Sequence, residues 1–321
     1  MSFQVIQGDC LEVMRGMADN SVELVCCSPP YEAARTYGID FKLRGQDWVD
    51  WAKERFMECL RVCSGLVCWV VEGQTRNYRY SATPILLMAD LHRAGVHLRK
   101  PCAYHRIGIP GSGGPDWFRN DYEFCICATK GGKLPWSDNT ANGHRPKWAP
   151  GGDMAHRLSN GTRVNQWGPV GGPNGNGKRF ASKAERPSHV NGHGATGSKG
   201  GTKTDRKVMT RSRRGSKDNG SYNSPVLANP GNVISVKVGG GLMGDELAHD
   251  NEAPYPESLV ERFVRSCCPP DGTVLDPFSG SGTTGAVALR FLRKYIGIDI
   301  RESQIELTKR RLAEVQRELF A

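Results

Sequence analysis

The chain has 321 residues, 38% of them hydrophobic, which is enough for one large domain or for a domain that carries a large insertion. Its formal net charge is +10 with a pI near 9.1, and this favours a polyanionic partner. No run approaches the roughly 18 continuous apolar residues of a membrane span, so we expect none. The first residues lack the basic and apolar regions of a secretory signal, so we expect no export.

The cysteine pattern favours a cytoplasmic protein. The eleven cysteines are odd in number and lie mostly within apolar runs, which is typical of reduced core thiols. A zinc site would need paired thiolates or histidines at loop spacing. His189 and His193 are four residues apart, but no cysteine lies near them. We therefore expect no metal site.

The first 130 residues alternate between strand and helix patterns. Apolar or alternating runs predict strands at 3–7, 22–26, 66–71, 96–106 and 122–128. Apolar residues at helical spacing predict helices at 10–17, 47–63 and 84–94. This alternation predicts a parallel, doubly wound α/β sheet.

Residues 131–232 differ in composition from the rest of the chain. They hold 17 Lys and Arg against 5 Asp and Glu, a net charge of +12, so the remaining residues carry −2. Trp136, Trp148 and Trp167 are interleaved with this charge, which favours a nucleic-acid-binding insertion. A solvated linker is the alternative. The candidate DNA-binding residues are Lys199, Lys203, Arg206, Lys207, Arg211, Arg213 and Arg214.

Ordered patterns resume after the insertion. We predict strands at 233–236, 273–276 and 295–299, and helices at 256–267, 286–291 and 302–319. A glycine-rich turn at 277–285 joins the strand that ends at Asp276 to the next helix, and Asp299 ends the following strand. Glycines allow close backbone approach, and a second carboxylate about twenty residues on suits ribose hydroxyls. This unit predicts a nucleoside site, and it lacks the lysine of a phosphate-binding loop.

A second motif, Ser28-Pro29-Pro30-Tyr31, follows the strand at 22–26. Prolines donate no backbone hydrogen bond and fix φ, so the strand must end in a rigid corner. The corner holds the Ser28 hydroxyl and the Tyr31 ring at a fixed distance and orientation relative to each other. Alone, the pattern also fits an ordinary Pro-Pro turn.

Together these motifs carry a family resemblance. The segment from Asp276 to Thr284 resembles the S-adenosylmethionine motif of amino-methylating DNA methyltransferases, and Ser28-Pro29-Pro30-Tyr31 resembles their catalytic motif. The catalytic motif precedes the cofactor motif, as in the permuted β class. The resemblance covers about residues 3–130 and 233–320. It implies a circularly permuted Rossmann-like fold with cofactor-binding residues Asp9, Asp276, Pro277, Phe278, Gly280, Gly282, Thr283 and Asp299.

The resemblance also implies a domain division. Residues 1–130 form the catalytic half, residues 131–232 the target-recognition insertion, and residues 233–321 the cofactor half. The segment 253–259 resembles the one near the methionine end of the cofactor, although Asn251-Glu252 replace its usual start.

The implied reaction is methylation of the exocyclic amine of a base flipped from double-stranded DNA, in a bacterial, archaeal or phage restriction-modification setting. Ser28 and the Pro29 carbonyl would accept hydrogen bonds from the amine, and Tyr31 would stack on the base. Serine at the first motif position slightly favours cytosine N4, with adenine N6 as the alternative. An RNA or protein methyltransferase, a non-catalytic DNA-binding protein, and carbon-5 methylation through Pro101-Cys102 are less favoured. The recognition sequence, a homodimer and a partner nuclease stay open.

Overall fold

The computed structural model describes residues 2–33, 41–108, 116–143, 227, 229–238 and 255–320. Met1–Asn142 and Asn229–Ala321 form one compact unit, and Gly143–Ala228 form a second. Nearly all described residues belong to the first unit. The seven predicted DNA-binding residues between Lys199 and Arg214 lie outside the described residues, as do His189 and His193.

The described elements follow the predicted alternation. The strands are β1 (Phe3–Gln7), β2 (Val22–Cys27), β3 (Cys63–Val71), β4 (Thr75–Arg76), β5 (Arg79–Tyr80), β6 (His97–Leu98), β7 (Cys102–Ile107), β8 (Tyr122–Thr129), β9 (Val233–Lys237), β10 (Thr273–Asp276) and β11 (Lys294–Asp299). The helices are α1 (Cys10–Arg15), α2 (Gly45–Val62), α3 (Thr83–Arg93), α4 (Glu257–Cys267), α5 (Thr283–Arg290) and α6 (Glu302–Phe320).

Nine described strands form one sheet in the order β1-β11-β10-β2-β3-β8-β7-β9, with β6 also paired to β8. The neighbouring pairs β1–β11, β11–β10, β10–β2 and β2–β3 are all parallel. Strand β8 runs antiparallel to β3, β7 and β6. The prediction of a mostly parallel α/β sheet is confirmed. Because β1, β11, β10, β2 and β3 are parallel, their carboxyl ends lie along one edge of the sheet.

Both faces of the sheet are covered, so its central strands are apolar on both sides. On β2, Leu24 and Cys26 pack into the core beneath α4, α5 and α6, whereas Val25 and Cys27 pack into the core beneath α2 and α3. Strand β3 alternates in the same way. None of the eleven cysteines forms a disulfide. Among the described residues no helix is both long and apolar enough to cross a membrane.

One local prediction was wrong, and one local element was missed. The single strand expected at 96–106 is split into β6 and β7, because Pro101 lacks a backbone donor and interrupts the ladder. Both pieces pair with β8. The hairpin of β4 and β5 was not predicted, since its two-residue strands are too short to produce an apolar pattern.

Candidate active site

The carboxyl edge of the sheet brings together predicted site residues from both ends of the chain. Asp9 follows β1, Ser28 follows β2, Asp276 ends β10 and Asp299 ends β11. Strands β10 and β2 are direct neighbours, with Leu275 level with Val25. Adjacent strands lie about 4.8 Å apart. The two motifs, about 250 residues apart in sequence, therefore open onto the same edge.

The loop between β10 and α5 requires its glycines. Gly280 and Gly282 have φ of 52° and 76°, in the left-handed region that side chains rarely adopt. A Cβ on Gly282 would lie 2.9 Å from Thr308 Cγ2 of α6. The Gly280 N–H donates to Asp299 Oδ2 at 2.9 Å, and the Arg301 N–H donates to Oδ1 at 2.9 Å. Asp299 thus ties the glycine loop to the end of β11.

Arg311 of α6 fixes the same loop from behind, with its side chain fully buried. Its guanidinium donates to the Ser281 carbonyl at 3.1 Å and to Thr283 Oγ1 at 3.0 Å. It also pairs with Glu257 Oε1 at 2.6 Å, at the start of α4. A second arginine, Arg290, pairs with the other oxygen of Glu257. One buried cation therefore joins the glycine loop to α4.

Asp276 is a buried carboxyl at the centre of the site. It accepts hydrogen bonds from the Phe278 N–H at 3.0 Å and from Tyr255 Oη at 3.4 Å, and Tyr255 also bonds Thr284. Burial raises the pKa of Asp276 to about 7, and the nearby Asp299 charge adds to the increase. No lysine or arginine of the described residues forms an ion pair with it. A buried carboxylate of this kind suits a cationic ligand group such as an ammonium.

Aromatic rings line the same edge beside the glycine loop. Phe278 lies 5.8 Å from the Trp51 ring and 5.5 Å from the Trp69 ring, between centroids. The Arg55 guanidinium stacks over Trp51 at 4.6 Å and pairs with Asp9 Oδ2 at 3.1 Å. Asp9 Oδ1 caps α1 by accepting from the Leu11 N–H at 2.8 Å. Asp9 and Phe278, both predicted cofactor residues, are thus linked through Arg55 and Trp51.

The Ser28–Tyr31 corner is held by side chains from α2 and β8. Trp48 Nε1 of α2 donates to the Pro30 carbonyl at 2.9 Å. Ser28 Oγ donates to Tyr31 Oη at 3.4 Å, and Tyr31 Oη donates to Glu123 Oε2 of β8 at 2.7 Å. The Glu123 carboxylate also pairs with Arg106 of β7 at 3.1 Å. A hydrogen-bonded chain therefore runs from Ser28 through Tyr31 to a carboxylate.

Comparison with known proteins identifies the family. The family model N6/N4 methyltransferase, described as DNA methylase, matches residues 22–310. The chain belongs to this family. The match spans both the Ser28–Tyr31 corner and the glycine loop, and the predicted family resemblance is confirmed.

Individual relatives match the chain over different lengths. The type II methyltransferase M.ScaI of Streptomyces caespitosus is 36% identical over 99 residues, covering 30% of this chain and 33% of that protein. The chain thus spans about a third or less of the length of the first curated relatives that it matches. The orphan methyltransferase M.BamHII of Bacillus amyloliquefaciens is 25% identical over 301 residues, covering 92% of this chain and 90% of that protein.

A solved structure supports the fold. The PvuII DNA methyltransferase, named as cytosine-N4-specific, superposes with a TM-score of 0.61 at 15% identity, covering 99% of this chain and 91% of that one. At this identity the likeness concerns the fold alone, and the Rossmann-like methyltransferase fold is confirmed.

Sequence reasoning missed several residues of the candidate site. Glu123 is 92 positions from Tyr31, and Arg311 is 54 from Glu257, so no local pattern links them. Arg55 lies within a helix whose apolar spacing masked its charge. The signal that could have found Glu123 is its position at the start of a strand that is otherwise apolar. The individual roles of the predicted site residues remain predictions.

Proposed function

We propose that this protein is a DNA methyltransferase that moves the methyl group of S-adenosylmethionine to an exocyclic amine of a base. The observation that carries the proposal is the pairing of β10 with β2, which puts the Asp276 loop beside Ser28. A methyl donor and an acceptor amine must lie within about 3–3.5 Å for transfer, and adjacent strand ends provide such proximity.

The residues of the glycine loop fit this cofactor. Asp276 would take the ammonium, since it is a buried carboxyl whose raised pKa an adjacent cation would lower again. Asp299 would accept hydrogen bonds from the ribose hydroxyls. Phe278 and Asp9 would border the adenine, and Pro277, Gly280, Gly282 and Thr283 would form the loop around the cofactor. The cofactor supplies an electrophilic sulfonium methyl.

The corner at Ser28 prepares the amine. The lone pair of an exocyclic amine is delocalised into the ring, so the amine is a poor nucleophile. Hydrogen bonds from the amine to Ser28 Oγ and to the Pro29 carbonyl favour a pyramidal nitrogen whose lone pair can attack. Trp48 already donates to the Pro30 carbonyl, so Pro29 provides the backbone acceptor. Tyr31 would stack on the extruded base.

The amine must lose one proton after methylation, and the hydrogen bonds that run from Ser28 through Tyr31 to Glu123 offer a path for it. The nitrogen would release its proton to Ser28 Oγ, the Ser28 proton would pass to Tyr31 Oη, and the Tyr31 proton would pass to Glu123. Each step breaks one bond to hydrogen and forms one, and the carboxylate becomes a carboxylic acid. Arg106 lies beside Glu123 as the positive partner of that carboxylate.

Two assignments rest on the sequence. Serine at the first position of the corner favours cytosine N4 slightly, and adenine N6 of the same class is the second candidate. Double-stranded DNA is the proposed substrate, and the basic residues from Lys199 to Arg214 are proposed to bind its phosphates. A cytoplasmic location is proposed with this substrate.

Methylation of plasmid DNA with labelled S-adenosylmethionine, followed by nucleoside mass spectrometry, tests the proposal. We expect labelled N4-methylcytosine; N6-methyladenine would support the second candidate. Ser28→Ala should remove the label, whereas Ser21→Ala, at an exposed serine before the same strand, should keep it. If Ser28→Ala incorporated labelled methyl groups into plasmid DNA at the wild-type rate, the catalytic role of the corner would be refuted.

A further inference from the structure

The unpredicted hairpin of β4 and β5 stands at the carboxyl end of β3. Its base is packed tightly, since a Cβ on Gly73 would lie 2.7 Å from the Tyr80 ring. Tyr80 Oη donates to the buried Glu72 at 2.7 Å. The N–H of Gln74 donates to Ser81 Oγ at 3.0 Å, which closes the base of the hairpin. These contacts hold the hairpin in one orientation.

The hairpin is attached directly to the catalytic corner. Glu32, which follows Tyr31, is buried, and its two oxygens accept from the Gln74 N–H at 3.2 Å and the Gly45 N–H at 2.9 Å. Arg76 Nη2 donates to the Ala33 carbonyl at 2.9 Å. The hairpin therefore lies next to the place where the target base would be held.

The tip of the hairpin has an unfavourable backbone for its sequence. Asn77 and Tyr78 have φ of 48° and 62°, the positive values that a two-residue hairpin turn requires. Asn-Gly is the favoured pair for such a turn, because glycine avoids the steric cost of Cβ. Tyr78 occupies the glycine position and is 83% exposed. A large aromatic ring is thus kept in solvent at a strained position.

The charge of the hairpin complements DNA. Arg76 and Arg79 face each other across the two strands, and residues 73–81 contain no acidic side chain. Strained residues cluster at functional sites. Proteins that bind nucleic acid without reading base edges combine aromatic rings, which stack on bases, with basic side chains along the phosphates.

We propose that this hairpin is a DNA-probing finger. The Tyr78 ring enters the base stack beside the target base and occupies the space that the base leaves, and Arg76 and Arg79 contact the flanking phosphates. The inference rests on the proposed function and adds a DNA contact outside the basic insertion.

The test compares two duplexes that contain the methylated sequence, once it has been mapped on plasmid DNA. In one duplex the target base is normally paired, and in the other it faces an abasic site and is already unpaired. We expect Tyr78→Gly to lower kcat/KM on the paired duplex by roughly five- to a hundredfold, the range of one lost base–aromatic stack. On the abasic duplex the loss should be smaller than threefold. Tyr78→Trp, which keeps a ring, should retain most activity.

The melting temperature separates this role from a structural one. Glycine relieves the strained turn, so Tyr78→Gly should melt no lower than the wild type. The matched control is Leu292→Gly. Leu292 is exposed, has a φ of 63° and lies between α5 and β11, at the opposite edge of the sheet. Its substitution should leave kcat/KM unchanged on both duplexes. Unchanged activity of Tyr78→Gly on the paired duplex, or an equal loss of activity on both duplexes, would overturn the proposed DNA-probing role of the hairpin. A wild-type protein that methylates neither duplex would overturn the proposed function as well.

Discussion

The two sides of the candidate site differ in how they are built. On the cofactor side, Asp276, Ser281, Thr283 and Thr284 are buried, and Arg311 and Asp299 fix the loop through the core. On the substrate side, the Ser28 corner is half-buried and the β4–β5 hairpin is exposed. A buried, rigid loop can bind a small ligand, whereas a large polyanion can be bound only by side chains exposed on the surface.

This difference predicts that substitutions on the two sides change different quantities. Changes at the glycine loop should lower stability or S-adenosylmethionine affinity. Changes at the corner should lower turnover and leave that affinity intact. The variants below are ordered from the largest expected effect to the smallest.

Tyr31→Ala should lower kcat by about a hundredfold or more, because the base loses the ring that positions it. The matched variant Tyr31→Phe keeps the ring and loses only the hydroxyl that bonds Glu123, so its loss should be smaller. Single-turnover methyl transfer measures both rates. Calorimetric titration should show wild-type cofactor affinity in each, and a large affinity loss would place Tyr31 on the cofactor side instead.

Arg311→Ala should destabilise the fold by about 3 kcal/mol, since it removes a fully buried cation and leaves its hydrogen-bond partners unpaired. Arg317→Ala on the same helix, where the side chain is 76% exposed, should change stability by less than about 1 kcal/mol. Urea unfolding measures both. Equal stability of the two variants would contradict the role of Arg311 in joining the glycine loop to α4.

Asp276 predicts a pH dependence of cofactor binding. Its pKa is raised to about 7 by burial, so the ligand-free protein loses the stability contributed by the protonated carboxyl as pH rises through about 7. An ammonium ligand favours the ionised form, so affinity should rise up to about tenfold per pH unit below pH 7 and level off above it. Asp276→Asn should bind more weakly and without this dependence. Persistence of the dependence in Asp276→Asn would assign it to another group.

Glu123→Gln should have the smallest effect on this scale, a roughly tenfold loss of kcat, which is the size expected for one weakened hydrogen bond to a charged group. The amide oxygen can still accept from Tyr31 Oη, but it cannot take up a proton or pair with Arg106. Glu123→Ala should lower kcat further. Stopped-flow and steady-state rates distinguish the two variants. Wild-type turnover in Glu123→Gln would contradict the proposed proton path.

The cofactor side was the easier half to predict from sequence. The strand Thr273–Asp276 has the predicted limits, and the glycines at 280 and 282 occupy the left-handed positions of the turn. Those features depend on neighbouring residues alone, so a short segment contains the information. The meeting of the two motifs is a finding of the structure, and it follows from the parallel pairing of β10 with β2, whose carboxyl ends lie at one edge.

The substrate side could be predicted only in part. The rigid corner follows from two prolines, but the bonds from Tyr31 to Glu123 and from Trp48 to Pro30 depend on tertiary packing. The hairpin escaped prediction because Tyr78 replaces the glycine that marks such turns. The predicted DNA-binding residues from Lys199 to Arg214 stay a prediction.

The division of the site is tested most directly by Ser28→Ala and Asp299→Ala measured side by side. For each variant, S-adenosylmethionine Kd is measured by calorimetry and methyl transfer to plasmid DNA is measured at saturating cofactor. We predict that Ser28→Ala keeps the wild-type Kd and loses transfer, whereas Asp299→Ala raises Kd and recovers transfer at high cofactor concentration. Wild-type transfer by Ser28→Ala, together with an unchanged Kd for Asp299→Ala, would contradict the account.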